Sequence, residues 1–177
     1  MMSDSWDDLA PETRAIHADG HLNDTTSLAP PIYQTSTFVA HSPEEFTEMA
    51  TAPQHTRFYA RYGTPTHAQT QAVIAALEGA ESALLTGSGM GALTTLALWL
   101  LDTGAHVVAQ KVHYGGTISL FEKLLPRFGV DTTFVDQTDP AAFADAIRPD
   151  TRLIVVETPT NPLMLLTDLR AIATLGR

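Results

Sequence analysis

The chain has 177 residues, of which 44% are hydrophobic and 17% are charged, values typical of one folded domain rather than of a disordered segment. Its 20 acidic residues outnumber the 10 basic ones and give a net charge of −10, which disfavours nucleic-acid binding because an acidic surface repels phosphate backbones. The absence of cysteine excludes disulfides, thiolate nucleophiles and cysteine-based zinc sites. The seven histidines are scattered without metal-ligand spacing, so we expect no metal site.

The N-terminus is acidic and lacks the basic region and apolar stretch of a signal peptide. The longest apolar stretch, residues 92–101, is far shorter than the roughly 20 residues that span a bilayer. We therefore expect a soluble, cytoplasmic protein that does not contact a membrane.

Residues 1–62 are predicted to form an extended arm. They are rich in Thr, Pro, His and Asp, and the one plausible helix lies near Pro11–Ala18. Pro30, Pro31 and Pro53 favour extended backbone around them. Because such an arm buries little of its own surface, we expect it to lie on another surface, either that of its own chain or that of a partner subunit.

Residues 63–177 show alternating helices and strands. Thr64 and Pro65 supply an N-cap and a first-turn proline for a helix that Gly79 ends. This alternation predicts an α/β fold with a mainly parallel sheet and flanking helices. The later predicted elements are strands at Ser82–Thr86, His106–Gln110, Val130–Val135 and Arg152–Glu157, and helices at Met90–Leu101, Thr117–Leu125, Asp139–Ile147 and Thr167–Leu175.

The predicted four-stranded sheet looks incomplete. The segment Arg152–Glu157 is apolar on both faces, which is typical of a central, buried parallel strand. The last helix is followed by no further strand. We therefore expect residues 63–177 to be the first part of a truncated α/β domain, preceded by the arm.

A glycine-rich turn, Thr86–Ala92, precedes the most apolar helix. Free amides at a helix N-terminus bind phosphate, and glycines allow an anion to approach, although such a turn can also serve close packing alone. A dinucleotide site would require a different glycine spacing and an acidic residue after the next strand. That strand ends in Gln110 and Lys111, so a smaller phosphate ester fits better than a nucleotide.

Three further segments carry candidate functional residues. Tyr59 and Arg61 stand just before the first regular helix, and an arginine at such a point can bind phosphate or simply face solvent. Tyr114 follows a strand and can stack on a planar ring or be an ordinary turn tyrosine. Asn161, in the loop after Arg152–Glu157, can donate and accept hydrogen bonds or merely form an Asn-Pro turn.

Together these segments resemble the Cys/Met-metabolism enzymes that depend on pyridoxal 5′-phosphate (PLP), such as cystathionine γ-synthase, cystathionine γ-lyase and methionine γ-lyase. The matching segments keep the family's order along the chain: Thr13–Gly20, Ala29–Phe38, Tyr59–Thr66, Leu77–Ala80, Ser88–Ala92, Tyr114–Thr117 and Glu157–Pro162. The resemblance implies the large domain of PLP fold type I and a homo-oligomer built as a dimer of dimers.

The resemblance also implies a role for each candidate residue. Ser88, Gly89 and Met90 would hold the PLP phosphate, the two latter through their amides, and Asn161 would hydrogen-bond the phenolic oxygen of the ring. Tyr114 would stack on the ring and act in catalysis. Tyr59 and Arg61 would reach the cofactor phosphate of a neighbouring subunit, and the arm would pack on that subunit. Glu157 receives no separate role.

The implied reaction is γ-replacement or γ-elimination on a sulfur amino acid or an activated homoserine. PLP chemistry requires a Schiff-base lysine, and neither Lys111 nor Lys123 stands in the family's lysine context. The resemblance places that lysine after residue 177, so we expect the truncated chain to be inactive. A non-catalytic fragment and, less favoured, a nucleotide-binding α/β module remain as alternatives. Gly116 replaces the cysteine of methionine γ-lyases, which argues mildly against that subgroup.

Overall fold

The computed structural model describes residues 9–176, which divide into two compact units, one ending at Leu85 and the other beginning at Thr86. Among these residues, no helix is long and apolar enough to cross a membrane. The helices of the first unit are α1 (Pro11–His17), α2 (Pro43–Thr51) and α3 (Pro65–Glu78). The second unit contains α4 (Gly89–Leu100), β1 (His106–Gln110), α5 (Gly115–Ser119), β2 (Asp131–Val135), α6 (Pro140–Ala146), β3 (Thr151–Val155) and α7 (Leu169–Ala173).

Helix α3 has the ends that its sequence predicts. Thr64 Oγ1 accepts a hydrogen bond from the His67 N–H at 3.2 Å, which satisfies one of the free amides of the first turn. Gly79 ends the helix with a φ of 61°, a left-handed conformation that glycine adopts without strain. Helix α1 packs on α3, and Arg14 Nη1 donates to the Ala76 carbonyl at 2.8 Å.

Part of the predicted arm is held within the first unit. The Tyr33 N–H donates to Thr66 Oγ1 at 2.9 Å, and the Ala60 N–H donates to the Ser36 carbonyl at 2.8 Å. An isolated antiparallel bridge joins Thr37 to Tyr59. The boundary at residue 62 and the packing of residues 1–62 on a partner subunit remain predictions.

Helix α2 was missing from the sequence prediction, although its start signal is present. Ser42 accepts a hydrogen bond from the Glu45 N–H at 3.1 Å, and Pro43 occupies the first turn. The Glu45 carboxylate in turn accepts a hydrogen bond from the His41 N–H, which resembles a capping box. The helix is only nine residues long and has few large apolar residues, so these caps were not recognised.

The sheet is parallel, with the strand order β2-β1-β3, which confirms the α/β class. Strand β1 is central, and all five of its residues are buried. Val107 packs in one apolar cluster with Leu120, Phe121 and Leu125. Val108 packs in the other, with Val135, Phe143 and Ile172, because successive side chains of a strand point to opposite faces.

The predicted strand at Ser82–Thr86 is wrong, so the sheet has three described strands instead of four. Strand formation requires a neighbouring strand that receives the backbone hydrogen bonds. Leu84 and Leu85 are 65% and 45% exposed. The Leu85 N–H is bonded to a side chain instead, Gln71 Oε1, at 2.9 Å.

The predictions for β3 and α5 also require correction. Strand β3 is not a central, buried strand. It forms an edge of the described sheet, where Arg152 is exposed and the other four residues are half-buried. Because β3 has a neighbouring strand on one side only, it stays partly uncovered, and Leu153, Ile154 and Leu169 line an open groove of about 620 Å³ beside it. The helix predicted at Thr117–Leu125 begins two residues earlier, at Gly115, and continues as π and 3₁₀ turns to Phe128.

Candidate functional site

The candidate site of the second unit lies at the carboxyl edge of the sheet. Strands β1 and β3 are parallel neighbours, so the loops that follow them emerge at the same edge. The loop after β1 carries Tyr114, and the loop after β3 carries Glu157 and Asn161. The loops that carry Tyr114 and Asn161 therefore lie at one edge because β1 and β3 are adjacent and parallel.

The glycine-rich turn forms an open helix N-terminus at α4. Ser88 is its N-cap, and its Oγ accepts a hydrogen bond from the Gly91 N–H at 3.0 Å. Helix geometry leaves the N–H groups of Gly89 and Met90 without intrahelical partners. A Cβ at Gly89 would meet no atom within 4 Å, so the space beside this glycine is open. The positive end of the helix dipole favours an anion there.

Tyr114 lies beside the first turn of α4. A Cβ at Gly116 would lie 2.7 Å from Tyr114 Cε1 and 3.0 Å from Met90 Sδ, distances too short for a side chain at that position. The absence of a Cβ at Gly116 allows the tyrosine ring and the methionine to approach this glycine together. Tyr114 remains 51% exposed, so a ligand can reach this residue.

One carboxylate connects the loops that carry Tyr114 and Asn161. Glu157 Oε2 accepts a hydrogen bond from the Tyr114 N–H at 3.0 Å, and Glu157 Oε1 accepts one from the Asn161 N–H at 2.8 Å. Burial would raise the pKa of the Glu157 carboxyl, but these two backbone hydrogen bonds, together with His113, lower it below its usual value. The charged form of Glu157 is therefore the form that holds both loops.

The Gln110 side chain forms the base of this arrangement and is completely buried. Its Oε1 accepts hydrogen bonds from the Glu157 N–H at 2.9 Å and from Thr167 Oγ1 at 3.3 Å. Its Nε2 donates to the Glu157 carbonyl at 2.9 Å and to the Val112 carbonyl at 2.6 Å. All four hydrogen-bonding positions of the amide are used, which fixes the ends of β1 and β3 relative to each other.

His113 is buried directly behind Glu157. Its Nδ1 lies 3.5 Å from Glu157 Oε2, and among the described residues neither ring nitrogen has a hydrogen-bond partner. Burial lowers the pKa of the His113 imidazole below its usual value, although Glu157 acts in the opposite direction. The neutral imidazole is therefore the favoured form.

Tyr59 and Arg61 belong to the first unit, whereas the other candidate residues belong to the second. The Arg61 guanidinium carbon lies 4.8 Å from the centre of the Tyr59 ring and 5.8 Å from that of Tyr62, which is cation–π geometry. Both Tyr59 and Arg61 are exposed. Their predicted function remains a prediction, as do the functions of Ser88, Gly89, Met90, Tyr114 and Asn161.

Sequence reasoning gave no role to Gln110, His113 or Glu157. Gln110 was predicted only as the last residue of a strand. It entered the sequence analysis because a dinucleotide site would have an acidic residue near that point. Glu157 lay inside a recognised segment, but nothing in its local sequence indicated a partner 43 residues away. A polar residue that ends an otherwise apolar strand was the signal available for Gln110. Among residues 9–176, no group of three acidic or histidine side chains could hold a metal ion.

The amino-acid sequence was compared with known proteins and protein families. Residues 12–177 match the family model of the Cys/Met metabolism PLP-dependent enzymes. The chain is 42% identical over 161 residues to an L-methionine gamma-lyase of Porphyromonas gingivalis, an alignment that covers 90% of this chain and 40% of the relative. It is also 42% identical over 167 residues to a probable cystathionine gamma-synthase of Herpetosiphon aurantiacus, with 93% and 49% covered.

The solved structures agree with the sequence comparisons. The crystal structure of metB from Corynebacterium glutamicum matches with a TM-score of 0.84 and 34% identity over 96% of this chain and 43% of that one. The chain thus spans less than half the length of these relatives. Pyridoxal 5′-phosphate is the cofactor of the family. The chain belongs to the Cys/Met metabolism PLP-dependent enzymes.

Proposed function

We propose that this chain forms part of a trans-sulfuration enzyme that resembles cystathionine γ-synthase or γ-lyase. The reaction would be γ-replacement or γ-elimination on a sulfur amino acid or an activated homoserine, in a cytoplasmic enzyme. Besides family membership, one observation carries the proposal. Glu157 bonds to the backbone N–H groups of both Tyr114 and Asn161 at the sheet edge, which holds together the two loops that carry an aromatic ring and an amide.

The residues at α4 fit the phosphate of PLP. The amides of Gly89 and Met90 are free of intrahelical partners, and the space in front of Gly89 is open. Ser88 uses its Oγ as the N-cap acceptor, and its hydroxyl hydrogen is free to donate to the anion. When bound, PLP supplies a ring that accepts electrons from the reacting carbon.

Tyr114 and Asn161 would orient the ring. Tyr114 offers an exposed aromatic face, and stacking of this kind contributes about 0.5–1.5 kcal/mol. Its hydroxyl would carry the proton needed by the leaving group. The Asn161 side chain is exposed and would donate a hydrogen bond to the phenolic oxygen of the ring.

Tyr59 and Arg61 would complete the phosphate site of a partner subunit in a dimer of dimers. Arg61 is held over two tyrosine rings and is exposed, and a guanidinium binds phosphate through paired donors. The test mixes Arg61→Ala subunits with Tyr114→Phe subunits. Recovery of activity is expected if the arginine acts across the interface, whereas assembled mixed oligomers without recovery would contradict that arrangement.

Neither lysine of the chain is proposed as the Schiff-base lysine. The side chains of Lys111 and Lys123 are both exposed, whereas such a lysine must lie against the cofactor. We therefore expect the 177 residues on their own to bind PLP without turnover. Release of a 2-oxo acid by this polypeptide, above a PLP-only blank and abolished by Tyr114→Phe, would refute this expectation.

Gln110 argues against the nucleotide-binding alternative. In a dinucleotide site, an acidic side chain at the end of the next strand binds the ribose. Here that position holds Gln110, which is buried with its amide fully used. No ribose can reach this side chain without breaking the network.

The enzymatic proposal is tested with the full product of the gene that carries this sequence, as distinct from the isolated 177 residues. It is assayed with PLP for 2-oxo acid release from cystathionine or methionine, and for cystathionine formation from an activated homoserine and cysteine. We expect turnover in at least one assay, with loss of turnover on Tyr114→Phe. Saturation with PLP without turnover on any of these substrates would favour the non-catalytic alternative.

A further inference from the structure

The Glu157 carboxylate joins two segments that are distant along the chain. Each oxygen accepts one backbone N–H, from Tyr114 at 3.0 Å and from Asn161 at 2.8 Å. The first of these contacts spans 43 residues and the second spans four. A carboxylate can accept several such bonds at once, and bonds to a charged acceptor are stronger than neutral ones.

Glu157 is itself held in place from below. Its N–H and its carbonyl both bond to the buried amide of Gln110, at 2.9 Å each. The same amide bonds to Val112, just before His113 and Tyr114. The carboxylate is therefore a rigid connector with a fixed backbone, rather than a free side chain that meets two amides by chance.

We propose that Glu157 is a positioning residue that sets the separation between the Tyr114 ring and the Asn161 amide, and thereby the orientation of the PLP ring. The inference rests on the proposed function. Glu157 would not touch the cofactor, because both of its oxygens are directed at backbone N–H groups. Loss of the carboxylate would allow the two loops to move apart while the phosphate site at α4 stays intact.

Glu157→Gln is the variant that tests this role, since it keeps the shape but replaces one acceptor oxygen by a donor. Asp136→Asn is the matched control. Asp136 follows the neighbouring strand β2, and its carboxylate accepts the Thr138 N–H of its own loop at 2.9 Å. The charge of Lys111 acts on this carboxylate, but among the described residues Asp136 has no hydrogen bond to Tyr114, Glu157 or Asn161.

The first readout needs no cofactor. We expect the amide protons of Tyr114 and Asn161 to show altered NMR shifts and faster hydrogen exchange in Glu157→Gln, with no such change in Asp136→Asn. In the wild type, both amide shifts should follow one shared titration at a pKa below the usual glutamate value. This titration of the wild type shows whether one carboxylate bonds to both amides, even if Glu157→Gln does not fold. Independent behaviour of the two amides would overturn the proposal.

The second readout is the induced circular dichroism of bound PLP, which reports the orientation of the ring. At saturating PLP, we expect Glu157→Gln to lose most of this signal and to bind about tenfold more weakly, while Asp136→Asn matches the wild type. Unchanged dichroism in Glu157→Gln would overturn the positioning role. Failure of the wild type to bind PLP would instead refute the proposed function, whereas the amide test would still stand.

Discussion

Replacement of Gln110 by leucine tests whether the buried amide network holds the two strand ends together. Leucine has nearly the same volume but no hydrogen-bonding atoms. The change removes four hydrogen bonds, at distances from 2.6 to 3.3 Å. It leaves the Glu157 N–H and carbonyl, the Val112 carbonyl and the Thr167 hydroxyl without these partners.

The loss of unfolding free energy in Gln110→Leu depends on how many of those polar groups water can reach. Thr167 is buried and Glu157 is half-buried, and a buried polar group without a partner costs about 1–3 kcal/mol. Two such groups on Glu157 alone place the loss of unfolding free energy at about 4 kcal/mol. A loss of that size is exceptional for one substitution and is diagnostic of a broken buried network.

The assay is urea unfolding followed by circular dichroism. We expect the Gln110→Leu midpoint to fall while the slope of free energy against urea stays the same. The control is Gln137→Leu, two residues after the neighbouring strand β2. Gln137 is buried but has no recorded side-chain hydrogen bond to any described residue, so its replacement should be nearly neutral. Equal effects of the two substitutions would refute the reasoning.

Three further predictions concern the neighbourhood of the site. Ser88→Ala removes the α4 cap and should lower the unfolding free energy by about 1 kcal/mol in urea, whereas Ser88→Asp, another good cap, should keep stability but lose PLP affinity. Gly116→Ala places a Cβ 2.7 Å from Tyr114 Cε1, so the ring must move and tyrosine fluorescence quenching by bound PLP should weaken; unchanged quenching would contradict this. The pKa of His113 lies below its ordinary value of 6.5 because of burial, so its contribution to stability is present above that pH and is lost as pH falls. Unfolding free energy should therefore fall more steeply between neutral and mildly acidic pH in the wild type than in His113→Leu, and equal slopes would contradict it.

The regular elements of the fold were largely predictable from local signals. The ends of α3 follow from Thr64 and Gly79, and β1 was predicted at its observed bounds. The strand at Ser82–Thr86 was not predictable in the same way, because whether an apolar stretch pairs depends on a neighbouring strand and not on its own residues. The burial of β3 was likewise not predictable from its own residues, because it depends on which elements cover the strand.

The site was predictable in its location but not in its connections. Tyr114 and Asn161 were each predicted to follow a strand of a parallel sheet, and the loops after adjacent parallel strands share an edge. The hydrogen bonds that fix them run between Gln110 and Glu157, 47 residues apart. A side-chain contact over such a separation leaves no periodic or local pattern in one sequence, so it became visible only in the fold.

The central claim, that α4 holds the phosphate of PLP, is tested most directly by PLP binding to Gly89→Asp and Gly89→Asn. A Cβ at Gly89 meets no atom within 4 Å, so both variants should fold, and they are nearly the same shape but differ in charge at the phosphate. Equilibrium titration should show tight binding by the wild type, moderately weaker binding by Gly89→Asn and a far greater loss for Gly89→Asp, because a carboxylate repels the phosphate. Equal affinities of the aspartate and asparagine variants would contradict the account.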